Sequence, residues 1–205
     1  MLTVTQNFQA DYRVKGSKFI SLINPCDSTE EADIRLTEIR DMHPTATHHC
    51  YAYRVGPAEI SEHSQDDGEP SGTAGLPILN ALRSANIVNT IVTVVRYYGG
   101  TKLGKSGLID AYGTSAGLVI REATLKKLIP TRRFEIVYPY DQQSIIDRLK
   151  HSFTLFEINA TYMENVSLIV ECPSKEAAHF EKKLEKLRHL FINVEKKGSY
   201  SRVLV

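Results

Sequence analysis

Nowhere in the chain does an apolar run approach the roughly 18 residues that a membrane-spanning helix needs, so no span is expected. The start, MLTVTQNFQADYRVK, lacks the basic residues followed by an apolar stretch that mark a secretory signal. Cysteine is scarce. Cys26, Cys50 and Cys172 are far apart, odd in number and free of any C-x-x-C pair, which argues against a zinc ribbon or a disulfide framework. Reduced thiols suit a cytosolic protein, and the cytoplasm is the expected location. Net charge is nearly missing as well. A balance of 25 basic and 24 acidic residues, formally +1, argues against a polybasic chain wrapped on nucleic acid. It leaves room for a local basic patch, because steering depends on where charges sit. Glycine is almost absent from the second half: Gly198 alone follows Gly117, whereas nine of the twelve lie between Gly68 and Gly117.

What remains is an ordinary globular composition, 42% hydrophobic and 24% charged over 205 residues, enough for one large domain or two small ones. SKFISLI (17–23) reads as a strand and 28–42 as a helix, with Ser28 or Thr29 as N-cap and Ala32, Leu36 and Ile39 facing one way. HHCYAYRV (48–55) is a strand, and 56–72 a long polar loop. TAGLPILNALRSAN (73–86) is a helix with Pro77 in its first turn, where proline costs little. A buried strand, 89–95, leads through a glycine loop into a helix over 106–125. Gly113 and Gly117 inside that helix cost about 1 kcal/mol each, which points to close packing against a neighbour.

The second half alternates strand 132–140, helix 141–151 with Ile145, Ile146 and Leu149 inward, strands 154–162 and 166–173, helix 175–190 with Ala178, Leu184 and Leu187 inward, and strand 192–205. This β-α-β-β-α-β order is the ferredoxin-like, split βαβ arrangement. The expected class is α+β with two domains, 1–130 and 131–205. The cation-rich joint ATLKKLIPTRR (123–133) reads as a solvated linker.

GGTKLGKS (99–106) spells G-x-x-x-x-G-K-[ST], the phosphate-binding loop. An apolar strand precedes it and a helix follows. The metal-holding acid that such an enzyme needs on another buried strand has no good candidate, and too few βα units surround the loop for a parallel sheet. A glycine turn exposing Lys102 and Lys105 is the plainer reading.

Three segments in order, HHCYAYRVG (48–56), DDGEPSGTAGLPIL (66–79) and VVRYYGGTKLGKSGLIDAYG (94–113), closely resemble the signature of the IMPACT family in its bacterial, YigZ-like two-domain form. Family members commonly carry Thr-Gly where this chain has Lys105-Ser106, so the phosphate-loop spelling is peculiar to it. The resemblance implies a first domain of the ribosomal protein S5 domain-2-like fold. It also implies a role near translation, since eukaryotic relatives act in translational control.

On the residues themselves, the end of DDGEPSGTAG would offer an anion the N–H groups of Gly72, Thr73 and Ala74 at a helix start, with Ser71 or Thr73 capping. RYYGGTKLGK would bring Arg96, Lys102 and Lys105 around Tyr97 and Tyr98, with Gly99 and Gly100 shaping the turn. If the two loops meet, they form a cleft suited to phosphate or to a stacked base of single-stranded RNA. In the plainer alternative, Asp66, Asp67 and Glu69 pair with Arg96 or Lys102 and pin the loops together. A loose Mg²⁺ site on the three acids, and Cys50 as a nucleophile with His48 as base, are weaker readings. No catalytic residue, metal ligand or cofactor is expected. The expected partner is RNA, the ribosome or a translation-control protein. The alternatives are an enzyme acting on a small phosphorylated or peptide substrate, and a nucleotide-binding regulator using 99–106.

Overall fold

The computed structural model describes residues 1–204. They fall into two compact units, Met1–Leu128 with Val203 and Leu204, and Ile129–Arg202.

The first unit begins with a two-residue strand, β1 (Leu2–Thr3), paired with Lys126 and Lys127. Its main sheet has the order β2 (Phe8–Val14), β3 (Ser17–Pro25), β6 (Thr90–Tyr97), β4 (His48–Val55), β5 (Ser61–Gln65), and every pairing is antiparallel. Helix α1 (Thr29–Met42) covers one face, seating Ala32, Leu36 and Ile39 on Tyr51, Ile91 and Val95. The Ser28 side chain accepts the Glu31 N–H at 3.2 Å, the expected cap. Helices α2 (Gly75–Ser84) and α3 (Gly104–Glu122) cover the other face, burying Ile78, Leu82, Tyr112, Ala116 and Val119 over Phe19, Cys50, Ala52, Val92 and Val94. With layers on both sides, β6 is buried on both faces, hence its unbroken run of Ile, Val and Thr.

Several local expectations change. β2 is a strand that alternates outward and inward residues. It turns into β3 through Lys15 and Gly16, both at positive φ, as a tight two-residue hairpin requires. β5 lies within the supposed polar loop; it is an edge strand with one paired side, so its residues SEHSQ stay polar. Gly113 does not serve close packing, because a Cβ there would meet Pro77 Cβ at an ordinary 3.8 Å.

The second unit takes β7 (Lys126–Tyr138) from Ile129 onward, then α4 (Gln143–Ser152), β8 (Phe156–Tyr162), β9 (Val166–Pro173), α5 (Ser174–Lys186) and β10 (Asn193–Leu204) as far as Arg202, with strand order β10-β7-β9-β8. Alternate residues of β7 (Phe134, Ile136, Tyr138) and β9 (Val166, Leu168, Val170, Cys172) pack under Ile146 and Leu149 of α4 and Ala177, Phe180 and Leu184 of α5. The core face of α5 is therefore set by Ala177, and Ala178 is exposed. Nor is 126–131 a solvated linker: it is the first half of β7, with Leu128 and Thr131 buried.

Candidate functional site

Antiparallel register places His48 of β4 and Phe19 of β3 directly opposite Arg96 of β6, so the three side chains share one face. Glu69 reaches this row from the loop before α2. Its Oε1 accepts from Arg96 Nη1 at 2.5 Å and from the Tyr112 hydroxyl at 2.9 Å, and His48 Nε2 stands 3.8 Å away. The Arg96 guanidinium carbon lies 5.4 Å from the centres of both the Phe19 and Tyr98 rings. Its Nη2 also donates to Ser17 Oγ at 3.3 Å, and the Gly99 N–H donates to the same oxygen at 3.2 Å. The two loops do meet, joined by an ion pair beneath the surface.

Asp66 fills the place offered to an external anion. Its carboxylate accepts from the N–H groups of Gly72 (2.8 Å), Ala74 (2.9 Å) and Gly75 (2.8 Å), completing the start of α2, which has no side-chain cap of its own. Burial alone would push the Asp66 pKa up; the donors from Gly72, Gly75 and Ala74 outweigh it, and the net shift is downward. The Thr73 hydroxyl donates to the Pro70 carbonyl at 2.6 Å and is buried. Ser71 is exposed, and Gly72 has open space where a side chain would stand.

Asp67 and Gly68 both have positive φ, and the Glu69 N–H closes the turn on the Asp66 carbonyl at 3.0 Å. This turn aims each acid differently. The Asp67 carboxylate accepts from the His49 N–H at 2.6 Å and from Arg40 at 3.3 Å, while its carbonyl accepts from His48 Nδ1 at 2.7 Å. Because a carbonyl only accepts, Nδ1 of His48 carries the proton. The three acids thus serve separate partners, and no three His, Cys, Asp or Glu side chains converge as metal ligands among the described residues. Cys50 is buried, its thiol donates to the Asp66 carbonyl at 2.9 Å, and burial pushes its pKa up, which disfavours the thiolate that a nucleophile requires.

The glycine loop is a turn outside any parallel sheet, since both neighbours of β6 run antiparallel to it. Gly99 presses on the Gly16 backbone so closely that an added Cβ would lie 1.9 Å from Gly16 C. Gly100 (φ +85°) and Gly104 (φ +73°) carry the left-handed turns. Tyr97 is half-buried, with its hydroxyl 3.0 Å from His43 Nδ1. Tyr98 (46% exposed), Gly100, Lys102 and Lys105 face solvent. The supporting residues Ser17, Thr47 (whose Oγ1 accepts the Tyr98 N–H at 3.1 Å) and Arg40 leave no local mark in the sequence, because their bonds span 27 to 82 residues. Tyr112 does lie in the third signature segment, two residues after Asp110.

Residues 15–120 match the Impact N-terminal domain. The chain is 35% identical over 173 residues to IMPACT family member YigZ of Escherichia coli (strain K12), a match covering 83% of this chain and 85% of that one. It is 33% identical over 187 residues to IMPACT family member YvyE of Bacillus subtilis (strain 168), covering 90% and 85%. A crystal structure of a hypothetical protein superposes with a TM-score of 0.66 at 31% identity, over 95% of each chain. The signature segments that build the Glu69–Arg96 frame lie within a likeness running through most of the sequence, and the chain belongs to the IMPACT family.

Proposed function

We propose that the protein is a cytoplasmic binding protein of translational control, contacting RNA, the ribosome or a translation-control protein through the rim of the 66–75 and 96–107 loops. The observation that carries this reading is a division of labour at the cleft. Arg96, Glu69, Asp66 and Thr73 are consumed internally and hold the loops still, whereas Tyr98, Lys102 and Lys105 stand exposed on the resulting frame. An exposed ring and two exposed cations on the same loop suit stacked bases and phosphates of a single strand. The buried Cys50 thiol and the dispersed acids give an enzyme reading little footing, and the antiparallel surroundings of 99–106 do the same for a nucleotide switch. The translational setting rests on the family resemblance. A ferredoxin-like second domain (131–205) is supported by its element and strand order, and an S5 domain-2-like first domain (1–130) by the same resemblance.

The test is ribosome co-sedimentation at about 50 and 200 mM salt with wild type and a Lys102→Ala/Lys105→Ala variant. Removing each phosphate contact should flatten the salt slope by roughly 0.7 for a single strand. Equal binding and equal slope overturn the proposal.

A further inference from the structure

The second unit carries a groove that the loop cleft does not involve. α4 and α5 lie on the same face of their sheet, and between them opens a cavity of about 220 Å³. Ile145, Leu149 and Leu187 line it, with Arg148, Ser152 and Lys183 at its edge. Ile145 and Leu187 are only half-buried, so the helices' apolar stripes extend past what their own core covers. A second hollow, about 490 Å³ and lined by His179, Lys182, Lys183, Glu185 and Lys186, adjoins it through Lys183.

Cations predominate around this groove: Arg148, Lys182, Lys183 and Lys186 against Glu185 alone among the lining residues. Arg148 Nε donates to the Ser144 carbonyl of its own helix at 3.2 Å. The carboxylates of α5 have partners other than these cations: Glu176 with Lys175 (3.6 Å), Glu181 with Lys196 (3.4 Å) and Glu185 with Arg188 (3.4 Å). Arg148, Lys182, Lys183 and Lys186 are left without a carboxylate among the described residues. Two of these cations edge an aliphatic floor.

We propose that this groove docks an acidic segment of a partner protein, anchored by one aliphatic side chain in the cavity, with Asp or Glu on either side facing Arg148 and Lys183. The volume falls below the roughly 300 Å³ at which small-molecule sites begin, but it accommodates a Leu, Ile or Met. No aromatic ring lines the cavity, so a nucleic-acid base finds no stacking platform there. A neutral or basic segment would shield the cations from water without pairing them, a costly exchange. Helix-in-groove recognition needs this combination of apolar floor and charged edge.

A displayed library of random peptides of about twelve residues, selected against the full-length chain, tests the proposal. Enriched sequences should carry an aliphatic residue flanked by acids. A chosen peptide should bind an Arg148→Glu/Lys183→Glu variant at least about tenfold more weakly, and exchanging its acids for lysine should restore binding to that variant. Both substituted residues are solvent-exposed, and an unchanged thermal transition verifies the fold. Enrichment of neutral or basic peptides, indifference to the charge reversal, or displacement of the peptide by oligo(U) RNA would each overturn it.

Discussion

Arg96 on β6 and Glu69 in the loop before α2 form an ion pair at 2.5 Å with side chains only 5% and 4% exposed. Buried this deeply, each charge depends on the other, and Arg96 Nε has no hydrogen-bond partner to soften the loss. Glu69→Ala or Arg96→Met alone should therefore cost about 3–5 kcal/mol, whereas Glu69→Leu with Arg96→Met should cost less than either. Urea unfolding of the single and double variants measures this. Singles costing under about 1 kcal/mol would mean that the pair is not the clamp between the loops.

Asp66 links stability to pH. Its folded-state pKa is lowered, so its contribution is complete above the unfolded value near 3.9 and is lost as pH falls through the folded value. In Asp66→Asn the amide oxygen still serves Ala74 and Gly75, but the NH₂ faces the Gly72 N–H, donor against donor. The expected cost is about 1–3 kcal/mol at neutral pH. Between pH 7 and 3 the variant should lose less stability than the wild type. Parallel pH curves would contradict this account.

Two glycines should respond in opposite directions. Gly113→Ala places its methyl in ordinary contact with Pro77 and removes a helix-interior glycine, a gain of about 1 kcal/mol. Gly99→Ala drives its methyl into the Gly16 backbone and should disrupt the β2–β3 turn. Thermal unfolding separates the two: Gly113→Ala should melt above the wild type and Gly99→Ala well below it.

Cys50 and Cys26 are buried, and their raised pKa values keep both thiols protonated at neutral pH. In folded protein both should alkylate with iodoacetamide much more slowly than free cysteine, and at the free-thiol rate after unfolding. Rapid labelling of Cys50 in the folded state would reopen the nucleophile reading.

The strands and helices that bury much of their surface were readable because burial imposes a period. Ala32, Leu36 and Ile39 recur at helical spacing, and β6 runs as Ile, Val and Thr from 90 to 95 because layers press on both its faces. β5 left no such mark, since an edge strand with polar residues pairs through its backbone alone. Near the chain's joint, Lys126, Lys127, Arg132 and Arg133 suggested solvation, yet Leu128, Thr131 and Phe134, which lie between them or beside them, are buried, and regular alternation begins only at Phe134. On α5, Ala177 and Ala178 are adjacent small residues, and a one-residue choice turns the helix by about 100°, which composition cannot decide.

By itself, the order of residues determined the family, the division into a glycine-rich first half and a plainer second half, and most elements, because propensity and periodicity are local. Which donors and charges are already taken was decided only in three dimensions. Asp66 closes the helix start that looked open to phosphate, and Glu69 neutralises the arginine that looked ready to bind one. Hydrogen bonds and ion pairs join whatever the fold brings within about 3 Å, and separation along the chain carries no record of that distance.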